Sequence, residues 1–173
     1  MPESEADAAA ALRTRPVEMG DATAIADIYN PEVLDSTVTF DLVPRSLDEQ
    51  RDWIIEHSGS YPAIVAIEGD GTVVGYASLT PYRPRPAYAT TVESSVYVRR
   101  DRQGRGVGRL LMERLVEAAG AHGFHSIVAR IVGGHDASIA LHEKVGFATI
   151  GTEIEVGRKF GKWLDVVTMQ RML

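Results

Sequence analysis

Val96-Tyr97-Val98-Arg99-Arg100-Asp101-Arg102-Gln103-Gly104-Arg105-Gly106-Val107-Gly108-Arg109-Leu110 reads as a β-strand, a basic glycine-rich turn and the opening of a helix. Gly104, Gly106 and Gly108 alternate with other residues, so the backbone can tighten and approach a ligand without Cβ atoms in the way. The N–H groups that open a helix have no partners inside it, and the helix dipole adds partial positive charge there. Together these features make a seat for phosphate oxygens. Arg99, Arg100, Arg102, Arg105 and Arg109 crowd the turn, although the chain carries a formal net charge of −6. The local sign opposes the global one, which marks the turn as a site. The plainer alternative is an ordinary turn beside a basic surface.

Upstream, residues 91–98 form the strand that feeds this turn. Strict alternation sets Thr91, Glu93, Ser95 and Tyr97 on one face, and Val92, Ser94, Val96 and Val98 on the other. Desolvation raises the pKa of a mid-strand carboxylate unless it is paired. Glu93 is therefore the candidate general base, with a structural salt bridge to an arginine as the alternative. Downstream, Val107, Leu111, Leu115 and Ala118 fall along one helix face, against a sheet.

Periodicity and punctuation give the rest of the order. Residues 12–17 are a short edge strand that tolerates Pro16. Asp21 caps a helix through Ile25, Ile28 and Tyr29, expected to stop or kink at Asn30-Pro31. Asp35-Ser36-Thr37-Val38-Thr39-Phe40 is a polar loop ending on an aromatic, of the kind that walls a pocket. Ser46-Leu47-Asp48-Glu49 is a capping box that opens a second helix. Residues 63–68 and 72–79 are strands joined by a hairpin at Gly69-Asp70-Gly71. Three prolines make residues 81–88 a rigid loop presenting Arg83 and Arg85. Residues 126–131 are a buried strand, and His135 or Asp136 caps a helix that ends at Gly146-Phe147. Residues 148–156 and 163–172 are a final antiparallel pair around a turn at residues 157–162. Trp53, Trp163 and Phe147 are read as core. The order β-α-α-β-β-β-α-β-α-β-β is an α+β fold in one domain, residues 12–173. Its sheet is mixed and mostly antiparallel, with helices on both faces. Residues 1–11 are expected to be a flexible tail.

Composition excludes several classes. At 45% hydrophobic and 24% charged, the chain is globular rather than disordered. It has no cysteine, which removes disulfides, thiolate metal sites and a cysteine nucleophile, and suits a reducing cytoplasm. No apolar run is long enough to span a bilayer, and residues 1–11 lack the basic start of a secretory signal. The acidic balance argues against nucleic acid. Without cysteine or a His-x-x-x-His spacing, no metal is expected.

The ligand of the turn is approached by elimination. A nucleotide P-loop needs Gly-Lys-Ser or Gly-Lys-Thr, and neither occurs. In the dinucleotide fingerprint G-x-G-x-x-G the third glycine position falls on Arg109 or Leu111. Q-x-x-G-x-G does fit, as Gln103, Gly106 and Gly108. It resembles the pyrophosphate-binding signature of the GNAT superfamily of acetyl-CoA-dependent N-acetyltransferases. The segment from Ser138 to Phe147 is similar to a second GNAT signature. Asp35-Ser36-Thr37-Val38-Thr39-Phe40, Thr91-Val92-Glu93-Ser94-Ser95-Val96-Tyr97-Val98 and Val156-Gly157-Arg158-Lys159-Phe160-Gly161-Lys162-Trp163-Leu164-Asp165 resemble the phosphinothricin and methionine sulfoximine branch. The similarity spans nearly the whole chain after the tail.

The resemblance implies a GNAT-type sheet, acetyl-CoA as cosubstrate, a small amine substrate and a homodimer. It assigns the cosubstrate to Val96, Tyr97, Val98, Gln103, Gly104, Arg105, Gly106, Val107, Gly108, Arg109, His135 and Ser138. The substrate falls to Phe40, Arg83, Arg85, Thr91 and Glu93, with the arginine loop reading a carboxylate. Catalysis falls to Glu93 as base, and to His142 either as the acid for the leaving thiolate or as pocket lining. Backbone N–H groups of Val96 and Val98 would hold the thioester carbonyl and pantetheine where the sheet splays. His135 departs from the family's asparagine. His142 departs from the superfamily's tyrosine but matches the branch. The rival readings are a peptide or protein N-terminal acetyltransferase and a non-catalytic CoA-binding sensor.

Overall fold

A seven-stranded sheet carries the molecule, and one irregularity in it positions everything else. The computed structural model describes residues 12–173; the tail expected over residues 1–11 lies outside the described residues. The strands are β1 (Arg13–Pro16), β2 (Ala63–Ile67), β3 (Val73–Pro81), β4 (Thr91–Val98), β5 (Ser126–Val132), β6 (Ala148–Lys159) and β7 (Lys162–Met172). Their order is β1-β2-β3-β4-β5-β7-β6. Every pairing is antiparallel except β4–β5, which runs parallel from Thr91↔Ser126 to Ser94↔Ala129 and then ends. Beyond that point β4 stays paired to β3 as far as Val98, and β5 to β7 as far as Val132. The two central strands therefore diverge and leave a slot in the sheet.

Four helices cover the two faces: α1 (Ala22–Asp35), α2 (Leu47–Glu56), α3 (Val107–Ala121) and α4 (Asp136–Lys144). Ile25, Ile28, Tyr29 and Val33 of α1 and Ile54 of α2 pack on Val65 and Tyr76 on one face. On the other, Val107, Leu111, Met112 and Leu115 of α3 pack on Ala77, Val92, Ile127 and Ala129. These are the faces that strand alternation requires. At 0% exposure, Leu111 and Leu115 bury their whole side chains, worth about 1.5–3 kcal/mol each.

Three sequence expectations change. Helix α1 does not stop at Asn30-Pro31 but continues past Pro31 to Asp35. Its last turn is held from outside: Arg100 donates to Glu32 at 2.7 Å, to the Pro31 carbonyl at 3.3 Å and to Asp35. Asp21 makes no cap bond; its carboxylate instead takes two hydrogen bonds from Arg15, at 2.7 and 2.8 Å, and one from the Glu18 N–H. The six-residue turn expected at residues 157–162 shrinks to Phe160-Gly161, both at positive φ, with Lys159 paired to Lys162. Two positive-φ residues make the tight hairpin whose twist matches its strands. The capping box at Ser46 forms as expected, with Glu49 N–H to Ser46 Oγ at 3.2 Å and Ser46 N–H to Glu49 Oε2 at 2.7 Å.

Candidate active site

The glycine turn is built as a seat. Gly104 and Gly106 adopt φ of 73° and 84°, and no atom lies within 4 Å of where a Cβ would stand on either. The first α3 bond runs from Leu110 N–H to the Gly106 carbonyl at 3.0 Å. The N–H groups of Val107, Gly108 and Arg109 precede it and have no helical partner. Gly108 serves packing: a Cβ there would stand 3.1 Å from Leu141 Cδ2, so its absence lets α3 close on α4. Val107 is buried in the core and offers only backbone. Gln103 braces the turn, donating from Nε2 to the Val98 carbonyl at 3.3 Å.

The positive charge expected there is largely neutralised. Arg99 pairs with Asp101 at 2.7 Å, Arg100 with Glu32 and Asp35, Arg102 with Glu68 at 2.6 Å and Asp101, and Arg109 with Glu113 at 2.7 Å. Arg105 alone of the five makes no ion pair among the described residues. What the turn can offer a phosphate is therefore backbone N–H groups and helix dipole rather than a cloud of arginines.

The slot supplies a second row of donors. Arg99 N–H bonds to the Val74 carbonyl at 2.9 Å, which fixes the phase of the β3–β4 ladder. Odd-numbered β4 residues face β3, and the N–H groups of Val96 and Val98 point the other way, into the slot. On the opposite face lies a cavity of about 310 Å³, lined by Glu93, Ser95 and Tyr97 of β4, Ser78 and Thr80 of β3, Arg130 of β5 and the loop from Val38 to Asp41. Phe40 is therefore a cavity wall, as expected. Tyr97 turns its ring into the cavity, packing edge-on against Tyr29 at 5.0 Å and stacking on Tyr76 at 5.4 Å; only its backbone is on the ladder.

Glu93 sits half-buried in this cavity and makes no ion pair or hydrogen bond through its carboxylate among the described residues. Burial pushes its pKa up, against the pull of Arg130 and Arg83. An unpaired carboxyl with a raised pKa in a cavity has the properties of a general base.

Other expected site residues lie elsewhere. His142 does not line the cavity. It is buried against the edge of Phe147 at 5.1 Å, with Nδ1 2.8 Å from the Ser138 carbonyl. That carbonyl takes the one N–H of the neutral ring, burial disfavours the charged form, and no proton remains to donate at Nε2. In this setting His142 serves the packing of α4 on Phe147. His135 starts α4, but its Nε2 lies 3.0 Å from Thr37 Oγ1, which ties the helix to the cavity loop and occupies that nitrogen. Ser138 spends its N–H on the His135 carbonyl, at 2.9 Å, and its own carbonyl on His142. Thr91, Arg83 and Arg85 lie outside the cavity lining; Arg83 rests over the Tyr82 ring at 4.9 Å.

Several lining residues escaped the sequence reading. Arg130 breaks an otherwise buried apolar strand, Ser126-Ile127-Val128-Ala129-Arg130-Ile131-Val132, and that lone charge was the available signal. Tyr29, Tyr76 and Trp53 look like core in sequence. Trp53 packs against the core and also lines the cavity, whereas Trp163, also read as core, is 59% exposed.

The family profile described as "Acetyltransferase (GNAT) family" matches residues 23–147. The chain belongs to this family. It is an acetyl-CoA-dependent N-acetyltransferase, and the open glycine seat and the N–H groups in the slot fit that cosubstrate. The acetyltransferase is 40% identical to the phosphinothricin N-acetyltransferase of Streptomyces coelicolor, over 95% of this chain and 98% of that protein. It is 41% identical to the L-methionine sulfoximine/L-methionine sulfone acetyltransferase of Pseudomonas paraeruginosa, over 90% of this chain and 91% of the relative. The crystal structure of a GNAT superfamily phosphinothricin acetyltransferase from Sinorhizobium meliloti, in complex with AcCoA, superposes with a TM-score of 0.90. That protein is 37% identical, and the match covers 94% of this chain and 88% of the other. Among the described residues no helix is long and apolar enough to cross a membrane, and no cluster of three acidic or histidine ligands could hold a metal.

Proposed function

We propose that this acetyltransferase modifies the α-amine of a small amino-acid-like substrate of the phosphinothricin or methionine sulfoximine type. The observation that carries the proposal is the unpaired, half-buried Glu93 on the cavity side of the β4–β5 slot. Acetyl-CoA, seated at the glycine turn, supplies an acetyl group already activated as a thioester. Glu93 takes the ammonium proton of the substrate, directly or through one water. The freed amine attacks the acetyl carbonyl without an acyl-enzyme, the C–S bond breaks, and CoA leaves as a thiolate that takes up the second amine proton, directly or from water. Val96 and Val98 N–H groups, fixed in the slot, steady negative charge on that oxygen. Arg83, on the proline-stiffened loop, meets the substrate carboxylate with a two-pronged guanidinium. Glu93 also weighs against a mere CoA sensor, which needs no base.

A homodimer is part of the reading. Strand β6 is an edge strand of 12 residues, and Ile150, Ile154 and Val156 on it, with Phe160 and Trp163 beyond, are exposed. Long apolar edges are normally covered. The absence of cysteine supports a cytoplasmic setting.

The test is an acetyl-CoA consumption screen against amino acids, phosphinothricin, methionine sulfoximine, polyamines and peptides, with wild type and Glu93→Gln. Turnover on amino acids that falls roughly 10²–10⁴-fold in the variant is expected. Turnover on peptides alone, or an equally active variant, contradicts the reading.

A further inference from the structure

The cavity has a second end that acetyl transfer does not use. Tyr97 stands four residues along β4 from Glu93, roughly 13 Å away at strand rise. There Tyr29, Trp53, Tyr76 and Tyr97 form an aromatic box, and Arg45 enters it. The Arg45 guanidinium lies 4.2 Å from the Tyr29 ring centre and 5.6 Å from that of Trp53. It makes no ion pair among the described residues and spends one N–H, on Gln50 Oε1 at 3.3 Å. A guanidinium has five N–H donors, so most of its capacity is unspent beside the cavity.

A second observation points to the same place. Tyr76 lines the cavity, and its hydroxyl is buried with no hydrogen-bond partner among the described residues. A buried hydroxyl left unpaired is costly, and a native one calls for an explanation. Arg45 and Tyr76 line the same cavity, and the charge on Arg45 acts on the Tyr76 phenol against the upward push of burial. Asp41 also lines the cavity, but its carboxylate is engaged by the Tyr29 hydroxyl at 2.5 Å. The other arginine in the lining, Arg130, is tied to Glu153.

We propose that Arg45 and Tyr76 form a subsite for an anionic oxo group, carboxylate or phosphinate, at the far end of the substrate side chain. The subsite rests on the acetyl-transfer reading above and deepens it. Glu93 handles the amine, and the aromatic box selects side chains that end in negative charge over neutral ones of the same length. The box walls strengthen the contact, because charge-assisted hydrogen bonds gain where water is excluded.

The experiment compares kcat/KM for L-glutamate and phosphinothricin with that for L-glutamine, in wild type, Arg45→Gln, Arg45→Lys and Tyr76→Phe. Wild type should favour the acids. The acid-to-amide ratio should fall roughly tenfold or more in Arg45→Gln, as expected for losing a charged hydrogen bond, mainly through KM. Arg45→Lys should recover part of it, and Tyr76→Phe should lower it less, in the same direction. Circular dichroism reports folding; if Arg45→Gln unfolds through loss of its stacking, Tyr76→Phe carries the test. An unchanged ratio in the folded variants, or a wild type indifferent to side-chain charge while acetylating amino acids, overturns the subsite and leaves the function standing. A preference for cationic side chains that Asp41→Asn abolishes also overturns it. Acetylation of no amino acid at all removes the function and the subsite together.

Discussion

Glu93 and Arg130 give the sharpest expectations, because their effects have opposite signs. As the proposed base Glu93 works as a carboxylate, and burial raises its pKa, so kcat/KM should fall as pH drops through a value above the ordinary glutamate range of about 4.3. Arg130 holds that pKa down. Arg130→Gln removes the restraint, and the acid limb should move to higher pH; a limb that stays put would mean the observed titration is not Glu93. The same linkage predicts a stability effect. A carboxyl whose folded pKa is raised costs stability above that pKa, when it is charged, and costs none once it is protonated. Folded Glu93→Gln should therefore melt at or above the wild-type temperature at neutral pH, with the gap closing as pH falls; a clear drop at neutral pH would indicate a structural role. Arg83 tests the other end of the substrate. Arg83→Ala should raise KM for an amino acid roughly tenfold, with KM for acetyl-CoA the control, and an unchanged amino-acid KM would remove Arg83 as carboxylate reader.

At the scale of elements, the strands and the Ser46 cap were legible because they depend on near neighbours. The capping box at Ser46 and the alternation of β4 needed no tertiary information. The continuation of the helix past Pro31 was not legible because the carboxylates that hold its end, Glu32 and Asp35, are bound by Arg100, more than sixty residues away in sequence. Glu68 likewise reaches Arg102 from just past β2, whereas Asp101 and Glu113, which neutralise Arg99 and Arg109, are near neighbours in the sequence. His142 was unreadable in a simpler way: a helix histidine looks alike whether its face meets a cavity or Phe147. The glycine turn carries its own test. Gly106→Asp places a carboxylate before unpaired N–H groups at an open seat, and calorimetry should show CoA binding weakened at least tenfold, the scale of losing one charged hydrogen bond. A folded variant with unchanged affinity would clear the turn of that role. Nearby, Gly157 has no room for a methyl, which would overlap the Phe40 ring. The cavity wall thus leans on β6, and buried Lys159 ties the two together by donating to the Thr39 carbonyl at 2.8 Å.

For the whole molecule, that tie joins the cavity to the edge where a second copy is proposed. Ile154→Lys with Trp163→Glu should convert a dimer to a monomer in analytical ultracentrifugation, and activity should drop with it; a monomeric wild type would end the proposal. The slot between β4 and β5 has a consequence of its own. Only four rungs join the two strands, so the sheet acts as a partition with a single doorway. On the proposed reading, the amine waits on the side of α1 and α2, the nucleotide end of the acetyl donor is moored at the start of α3, and the two meet only in the opening. Neither reactant has to leave before the other arrives. Molecules that plug one room should therefore fail to compete with the occupant of the other, and a compound threaded through the doorway, with a head in each room, should bind more tightly than either half.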